Sequence, residues 1–475
     1  MRVLAVASEM YPLVKTGGLA DVVGALPGAL AAHGVEVVTL LPGYPAVVRG
    51  LVGAKPVKRY PALFGGPARL VRSGGLLVLE AAHLYAREGG PYADASGADW
   101  PDNLARFAAL AWVASDLAGG GAKGFAPDLL HLHDWQAALA AAYVRFEGGR
   151  VPTVVTIHNL AFQGRFEASG FARLGLPAAA FGIDGVEYYG GVGFLKAGLR
   201  FADAITSVSP TYAMEIRTPA VGMGLDGLLR ERGEQLHGIL NGIDWEEWDP
   251  ATDRLIAARY SAARPAARLR NKPAVEALFA LSPGDGPIFC VVSRLTWQKG
   301  MDLLVEALDD LVAAGGRLAL LGSGDRAIEG AMLAAAARHP GKIGVRIGYD
   351  EAVSHQLQAG ADAILVPSRT EPCGLTQMYG LRYGCVPVVA RTGGLADTVI
   401  DANEAAVAAG VATGLQFALD DAESVRQAVR TAVALHANRD AWRAMQRAGM
   451  RADFSWGRSA GRYASLFSQV IAARG

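Results

Sequence analysis

Short apolar, β-branched runs alternate with longer Ala/Leu-rich stretches of helical period along the whole chain. Arg2 to Ala7, Val35 to Leu41, Leu129 to His133, Thr153 to His158 and Ala204 to Val208 read as strands, each followed by a turn and a helical pattern. Ile288 to Ser293, Arg317 to Leu321, Ile343 to Ile347, Ala363 to Val366 and Val386 to Val389 repeat the scheme. Strands that are apolar almost throughout must be covered on both faces, so the alternation predicts parallel sheets between layers of helices. In such sheets ligands bind at the carboxyl ends of the strands. Ala334 to Ala337 reads as helix surface, since alanine is the best helix former. Residues 43 to 100 are rich in Gly and Pro and predict hairpins and long loops near a binding cleft.

A length of 475 residues exceeds one ordinary core and predicts two domains. Asn241-Gly242 is a turn signal, and Trp245 to Pro250 has no clear period. The domains are therefore read as 1–244 and 245–455, with a final helix in 456–475 packing back on the first.

One motif occurs twice. Lys15-Thr16-Gly17-Gly18-Leu19-Ala20-Asp21-Val22-Val23 returns as Arg391-Thr392-Gly393-Gly394-Leu395-Ala396-Asp397-Thr398-Val399, 376 residues later, with seven of nine positions identical. The separation is far beyond any solenoid period. Tandem glycines entering a helix let a backbone approach a ligand, and a helix N-terminus favours an anion. A phosphorylated ligand is one reading, and a shared packing turn is the other.

Net charge is zero, which removes the electrostatic case for nucleic acid or a membrane surface. Any anionic ligand must be held by local cations. Cys290, Cys373 and Cys385 cannot form a disulfide framework, and a reducing, cytoplasmic compartment is expected. Val3 to Ser8 is a short strand ending at Glu9 rather than a leader, and no membrane span is expected.

Four clusters carry candidate chemistry, each after a predicted strand. Lys15 stands before Gly17, Gly18 and Asp21, where it suits a phosphate or developing oxyanion as a point charge. His131-x-His133-Asp134-Trp135 superficially resembles a metal set, but the two histidines share a strand face and Asp134 points away. Asp134 suits either a helix N-cap or a sugar hydroxyl. His158-Asn159 ends a buried strand, where polar side chains are poor core filler. Arg294 and Lys299 precede a helix and together suit a diphosphate. Glu371 precedes Pro372-Cys373-Gly374-Leu375-Thr376 at another strand-to-helix loop, whose amides face outward to phosphate oxygens in this reading.

These residues resemble the bacterial glycogen synthase and plant starch synthase family. The likeness rests on Lys15-Thr16-Gly17-Gly18-Leu19, His133-Asp134-Trp135, His158-Asn159, Asn241-Gly242-Ile243-Asp244, Ser293-Arg294-Leu295, Gln298-Lys299-Gly300 and Glu371 to Gln377, and spans the chain. It implies an α/β GT-B fold, two Rossmann-like doubly wound domains facing across a deep cleft. It also implies transfer of glucose from ADP-glucose to the non-reducing end of an α-1,4-glucan such as glycogen, with retention and without cofactor or metal. By the same resemblance, Arg294 and Lys299 hold the pyrophosphate, with Lys15, Gly17 and Gly18 on the first-domain side. Asp21 neighbours the ribose, and Tyr349 stacks the adenine. His158, Asn159 and Asn241 touch glucose. Asp134 lies near the reacting sugar with Glu371 opposite. Cys373, Gly374, Leu375 and Thr376 line the donor, while Glu9, Tyr92 and Trp135 touch the acceptor. Gln136 departs from the family's usual His.

Domain closure would then join Lys15 to Arg294 and expel water, with the free enzyme open. A UDP-glucose-dependent transferase, a phosphorylase and a silent glucan-binding protein are the rivals. Oligomeric state is left open. An oxidoreductase is disfavoured, because no G-x-G-x-x-G follows the first strand.

Overall fold

The computed structural model describes residues 1–122, 125–418 and 421–474. The chain divides into two compact units, Met1–Asn241 with Trp456–Gly475, and Gly242–Ser455. No helix among the described residues is long and apolar enough to cross a membrane.

Unit 1 contains β1 (Arg2–Val6), β2 (Glu36–Pro42), β3 (Lys55–Leu63), β4 (Gly66–Ser73), β5 (Leu76–Glu80), β6 (Leu129–His133), β7 (Thr153–Ile157), β8 (Arg165–Glu167), β9 (Glu187–Tyr188), β10 (Gly191–Gly193), β11 (Ala204–Ser207) and β12 (Leu236–Gly238). Nine of them form one sheet in the order β12-β11-β7-β6-β1-β2-β5-β4-β3. Its central strands are parallel, and β3, β4 and β5 extend it as an antiparallel meander. The Gly/Pro-rich region thus builds a sheet edge as well as loops. The three-residue strands β8, β10 and β12 are too short for apolar periodicity to reveal.

Why the ends of the chain meet is visible in one cluster. Val22, Leu26 and Leu30 of the helix Gly18–Ala31 pack with Val3, Leu129 and Val154 of the sheet. Trp456, Tyr463, Leu466 and Phe467 of the helix Trp456–Arg474 complete the same cluster.

Unit 2 contains β13 (Ile288–Val292), β14 (Arg317–Gly322), β15 (Ile343–Ile347), β16 (Ala363–Val366), β17 (Val386–Ala390) and β18 (Leu415–Phe417). They form a parallel sheet in the order β15-β14-β13-β16-β17-β18. Counted within the unit this is the 3-2-1-4-5-6 order of a dinucleotide-binding fold. The order reverses between β13 and β16, so the loops after those two strands diverge and leave a crevice. In unit 1 the corresponding reversal lies between β1 and β6.

Candidate functional site

Both reversal points collect the predicted residues, each within its own unit. In unit 1 the loop after β1 runs from Ser8 to the helix at Gly18. Gly17 is extended (φ −162°) and offers no side-chain cap to the first amides of that helix, of which Ala20 N–H reaches Gly17 O at 3.3 Å. A side chain at Gly17 or Gly18 would meet nothing within 4 Å. The Lys15 ammonium lies 2.7 Å from Asp21 Oδ1, so these two candidates pair with each other.

Glu9 braces this loop from beneath. It is buried, and its carboxylate accepts from Thr16 N–H, from Thr16 Oγ1 at 2.6 Å and from the Tyr92 hydroxyl. Tyr92 also meets Ser8 Oγ at 2.7 Å. Both Glu9 oxygens, expected to meet the acceptor, are thus held by Thr16 and Tyr92. Trp135, also expected at the acceptor, is held in the same inward way. It is 9% exposed and packs on Phe107, Phe166 and Phe194, with centroids at 4.8, 5.8 and 6.4 Å.

β6 delivers His131 and His133 into the interior, both 1% exposed. His131 Nε2 meets Thr156 Oγ1 at 2.7 Å, which meets Thr206 Oγ1 at 2.6 Å. His133 Nδ1 meets His158 Nε2 at 2.9 Å. Burial lowers the basicity of all three histidines, His133 to about 3, so they are neutral near pH 7. Tyr463 and Phe467 of the last helix back His131 at 5.4 and 5.2 Å.

Asp134 is the first residue of the helix Asp134–Phe146 and has φ +55°. It is not an N-cap. The cap position is His133, and Asp134 turns back to accept the His158 N–H at 2.7 Å. A positive φ in a buried, non-glycine residue is the backbone strain associated with functional sites. Burial raises the Asp134 carboxyl to about 7, against the opposing effect of the His158 and Asn159 amides. Asn159 Oδ1 accepts from Ala161 N–H at 3.0 Å. Asn241 Oδ1 and Gln136 Oε1 are buried without a hydrogen-bond partner among the described residues.

In unit 2 the loop after β13 carries both expected cations. Arg294 is exposed, and its guanidinium has no hydrogen bond or ion pair among the described residues. Lys299 turns inward, 2.5 Å from Glu371 Oε2 on the loop after β16. Ser368 Oγ donates to the same oxygen at 2.9 Å. Gly374 (φ +72°) leads into the helix Thr376–Tyr383, which has no side-chain cap, leaving Gly374, Leu375 and Thr376 partly open. Cys373 is buried, so only its main chain is available, and its carbonyl accepts from Gln377 Nε2 at 3.1 Å. Tyr349 is 64% exposed after β15, and its hydroxyl donates to Glu351.

The second copy of the repeated motif has a different job. Gly393 and Gly394 are buried, and a Cβ on either would collide with the carbonyl of Glu371 or Cys373. Gly394 N–H donates to Glu371 O at 3.1 Å. The phosphate reading fails for this copy, because its glycines exist to let the loop of Glu371 sit on them. Arg369, which carries no motif signature, binds the loop of Lys299. The only local signal was a cation two residues before the candidate carboxylate.

Known proteins resemble this chain along its length. Residues 2–231 match the family model for the starch synthase catalytic domain, and 279–447 match that for glycosyl transferases group 1. A glycogen synthase from Mesorhizobium japonicum is 61% identical over 415 residues, 86% of each chain. Glycogen synthase 1 from Rhizobium meliloti is 58% identical over 478 residues, covering 99% of this chain and 100% of its own. The catalytic domain of starch synthase IV from Arabidopsis thaliana, solved with ADP and acarbose, superposes with a TM-score of 0.88 at 30% identity over 99% of both chains. Sucrose-phosphate synthase from Thermosynechococcus elongatus shares the fold at 19% identity and a TM-score of 0.60, again over 99% of both chains.

Proposed function

The chain belongs to the glycogen synthase and starch synthase family of GT-B glycosyltransferases, and on that premise we propose that it transfers glucose from ADP-glucose to the non-reducing end of an α-1,4-glucan with retention. The observation that carries the donor side is the reversal point of unit 2. There Arg294, Lys299 and the uncapped amides of 374–376 gather positive charge for a diphosphate.

As the bond from glucose C1 to the β-phosphate oxygen breaks, its electron pair stays on phosphate. Fixed cations and amide dipoles facing that oxygen stabilise the transition state more than the ground state. Within unit 1, Lys15 and the open Gly17-Gly18 turn are a second group of the same kind. The acceptor 4-hydroxyl oxygen then bonds to C1 on the face that the phosphate leaves, and its proton passes to the departing phosphate. Same-face attack is favoured over a covalent intermediate on two grounds. Glu371 is held by Lys299 and Ser368, and Asp134 by the His158 N–H. Neither is a free nucleophile. We assign Tyr349 to the base, and His158, Asn159 and the unpaired Asn241 Oδ1 to the glucose. The fixed cations make a metal unnecessary in this scheme.

The test is transfer of labelled glucose from ADP-glucose and, separately, UDP-glucose onto glycogen, with and without EDTA. Strong transfer from ADP-glucose that survives EDTA is expected. Transfer from UDP-glucose alone would replace the donor, and no transfer from either would leave a glucan-binding protein.

A further inference from the structure

We propose that Arg369 is a positioning residue that clamps the turn carrying Lys299 onto the loop of Glu371 and so sets where Lys299 stands at the departing phosphate. The inference rests on the donor reading above. Arg369 donates through Nη1 to Trp297 O at 2.6 Å, and through Nη1 and Nη2 to the two carboxylate oxygens of Asp302 at 2.7 and 2.8 Å. Its guanidinium also lies 4.3 Å from the centroid of the Trp297 ring, and its own N–H donates to Gln298 O at 2.9 Å. One residue therefore holds the other loop on both sides of its left-handed Gly300: at the turn Trp297–Lys299 and at the start of the helix Met301–Ala313.

The two loops touch directly as well. Gly300 has φ +66°, and a Cβ there would collide with the Pro367 carbonyl. Close backbone contact with no fixing side chain would let the loops slide. A planar fork bonded to a carboxylate, a carbonyl and an indole face removes that freedom, and lysine cannot make all three contacts. Hydrogen bonding from Arg369 also lowers the Asp302 carboxyl, so the pair stays ionised. Trp297 is 65% exposed, so its ring adds little core packing, and the stack with Arg369 accounts for its place. Lys299 follows Trp297 by two residues and Glu371 follows Arg369 by two, so each clamp residue stands two positions before a member of the Lys299–Glu371 pair.

The test measures kcat and KM for ADP-glucose in the wild type, Arg369→Ala, Arg369→Lys, Lys299→Ala and the double variant Arg369→Ala/Lys299→Ala. A small displacement of a charge-stabilising group predicts a fall in kcat on the order of 100-fold for Arg369→Ala, with partial recovery in Arg369→Lys. Because Arg369 acts through Lys299, adding Arg369→Ala to Lys299→Ala should cost less than about 3-fold more. Wild-type kcat in Arg369→Ala would overturn the inference. So would an equal loss with and without Lys299, which marks a general structural role. Should Arg369→Ala fail to fold, Asp302→Asn weakens the same fork and is held to the same outcomes. A wild-type chain inert toward ADP-glucose would overturn the donor reading, and this inference with it.

Discussion

Lys299 Nζ lies 2.5 Å from Glu371 Oε2, whereas Arg294, five residues earlier on the same loop, has no side-chain partner among the described residues. One cation is already neutralised inside the protein and the other waits in solvent. The two are expected to diverge under mutation.

Arg294→Ala and Lys299→Ala should each lower kcat by roughly 100- to 1,000-fold, the effect of removing one preorganised donor from a developing anion. Stability should separate them. Lys299→Ala leaves the carboxylate of Glu371, 10% exposed, without its counter-charge, a change that typically costs about 3–5 kcal/mol. Arg294→Ala alters an exposed side chain and should stay within about 0.5 kcal/mol. Urea unfolding of both variants checks this, and equal midpoints would contradict it.

The Asp134 carboxyl, raised by burial, titrates at about 7 in the folded chain. If its charged form faces the reacting sugar, kcat should rise with pH below about 7 and level off above it. Asp134→Asn should be slow and lack that limb. A wild-type profile flat from pH 6 to 8 would remove Asp134 from the chemistry.

The buried histidines and Asp134 act on stability with opposite signs. His131, His133 and His158 bind fewer protons folded than unfolded, so acidification below about 6.5 favours the unfolded chain. Asp134 binds its proton more readily when folded, between 3.8 and about 7, and offsets one of the three. Tm should therefore fall from pH 7 to pH 5, and more steeply in Asp134→Asn. A shallower fall in that variant would refute the assignment.

The repeated glycines give a paired test. Gly394→Ala should lower both Tm and kcat, because its Cβ would strike the Cys373 carbonyl and displace the Glu371 loop. Gly18→Ala meets nothing within 4 Å and should fold normally. Its effect should appear in KM for ADP-glucose, since the space it fills is assigned to the donor. Normal Tm and activity in Gly394→Ala would show that the second copy does not support Glu371.

Ten of the long strands were legible in the sequence, because a strand buried on both faces is an uninterrupted apolar run. Strands β8, β10, β12 and β18 were not, since three residues carry no period. Candidate chemistry was legible wherever it follows such a strand, as at Lys299 and Glu371. What each group touches was less so. Glu9 and Trp135 look like ligand contacts by resemblance, yet burial commits one to Thr16 and the other to phenylalanines. The two copies of the glycine motif read alike, but one faces open space and the other Glu371. Arg369 was silent because its partners Trp297 and Asp302 stand 72 and 67 residues away.

The helix Trp456–Arg474 follows the whole of unit 2 in the chain but completes the core of unit 1. Domains usually fold in the order in which they leave the ribosome. Here that order is inverted. Unit 2 has all its residues while unit 1 still lacks Trp456, Tyr463 and Phe467, and with them the aromatic wall behind His131. A nascent chain thus carries an unfinished first unit until all of unit 2 has been made. A stop codon that spares every candidate catalytic residue but removes this helix would still yield a chain for the cell's proteases rather than a catalyst.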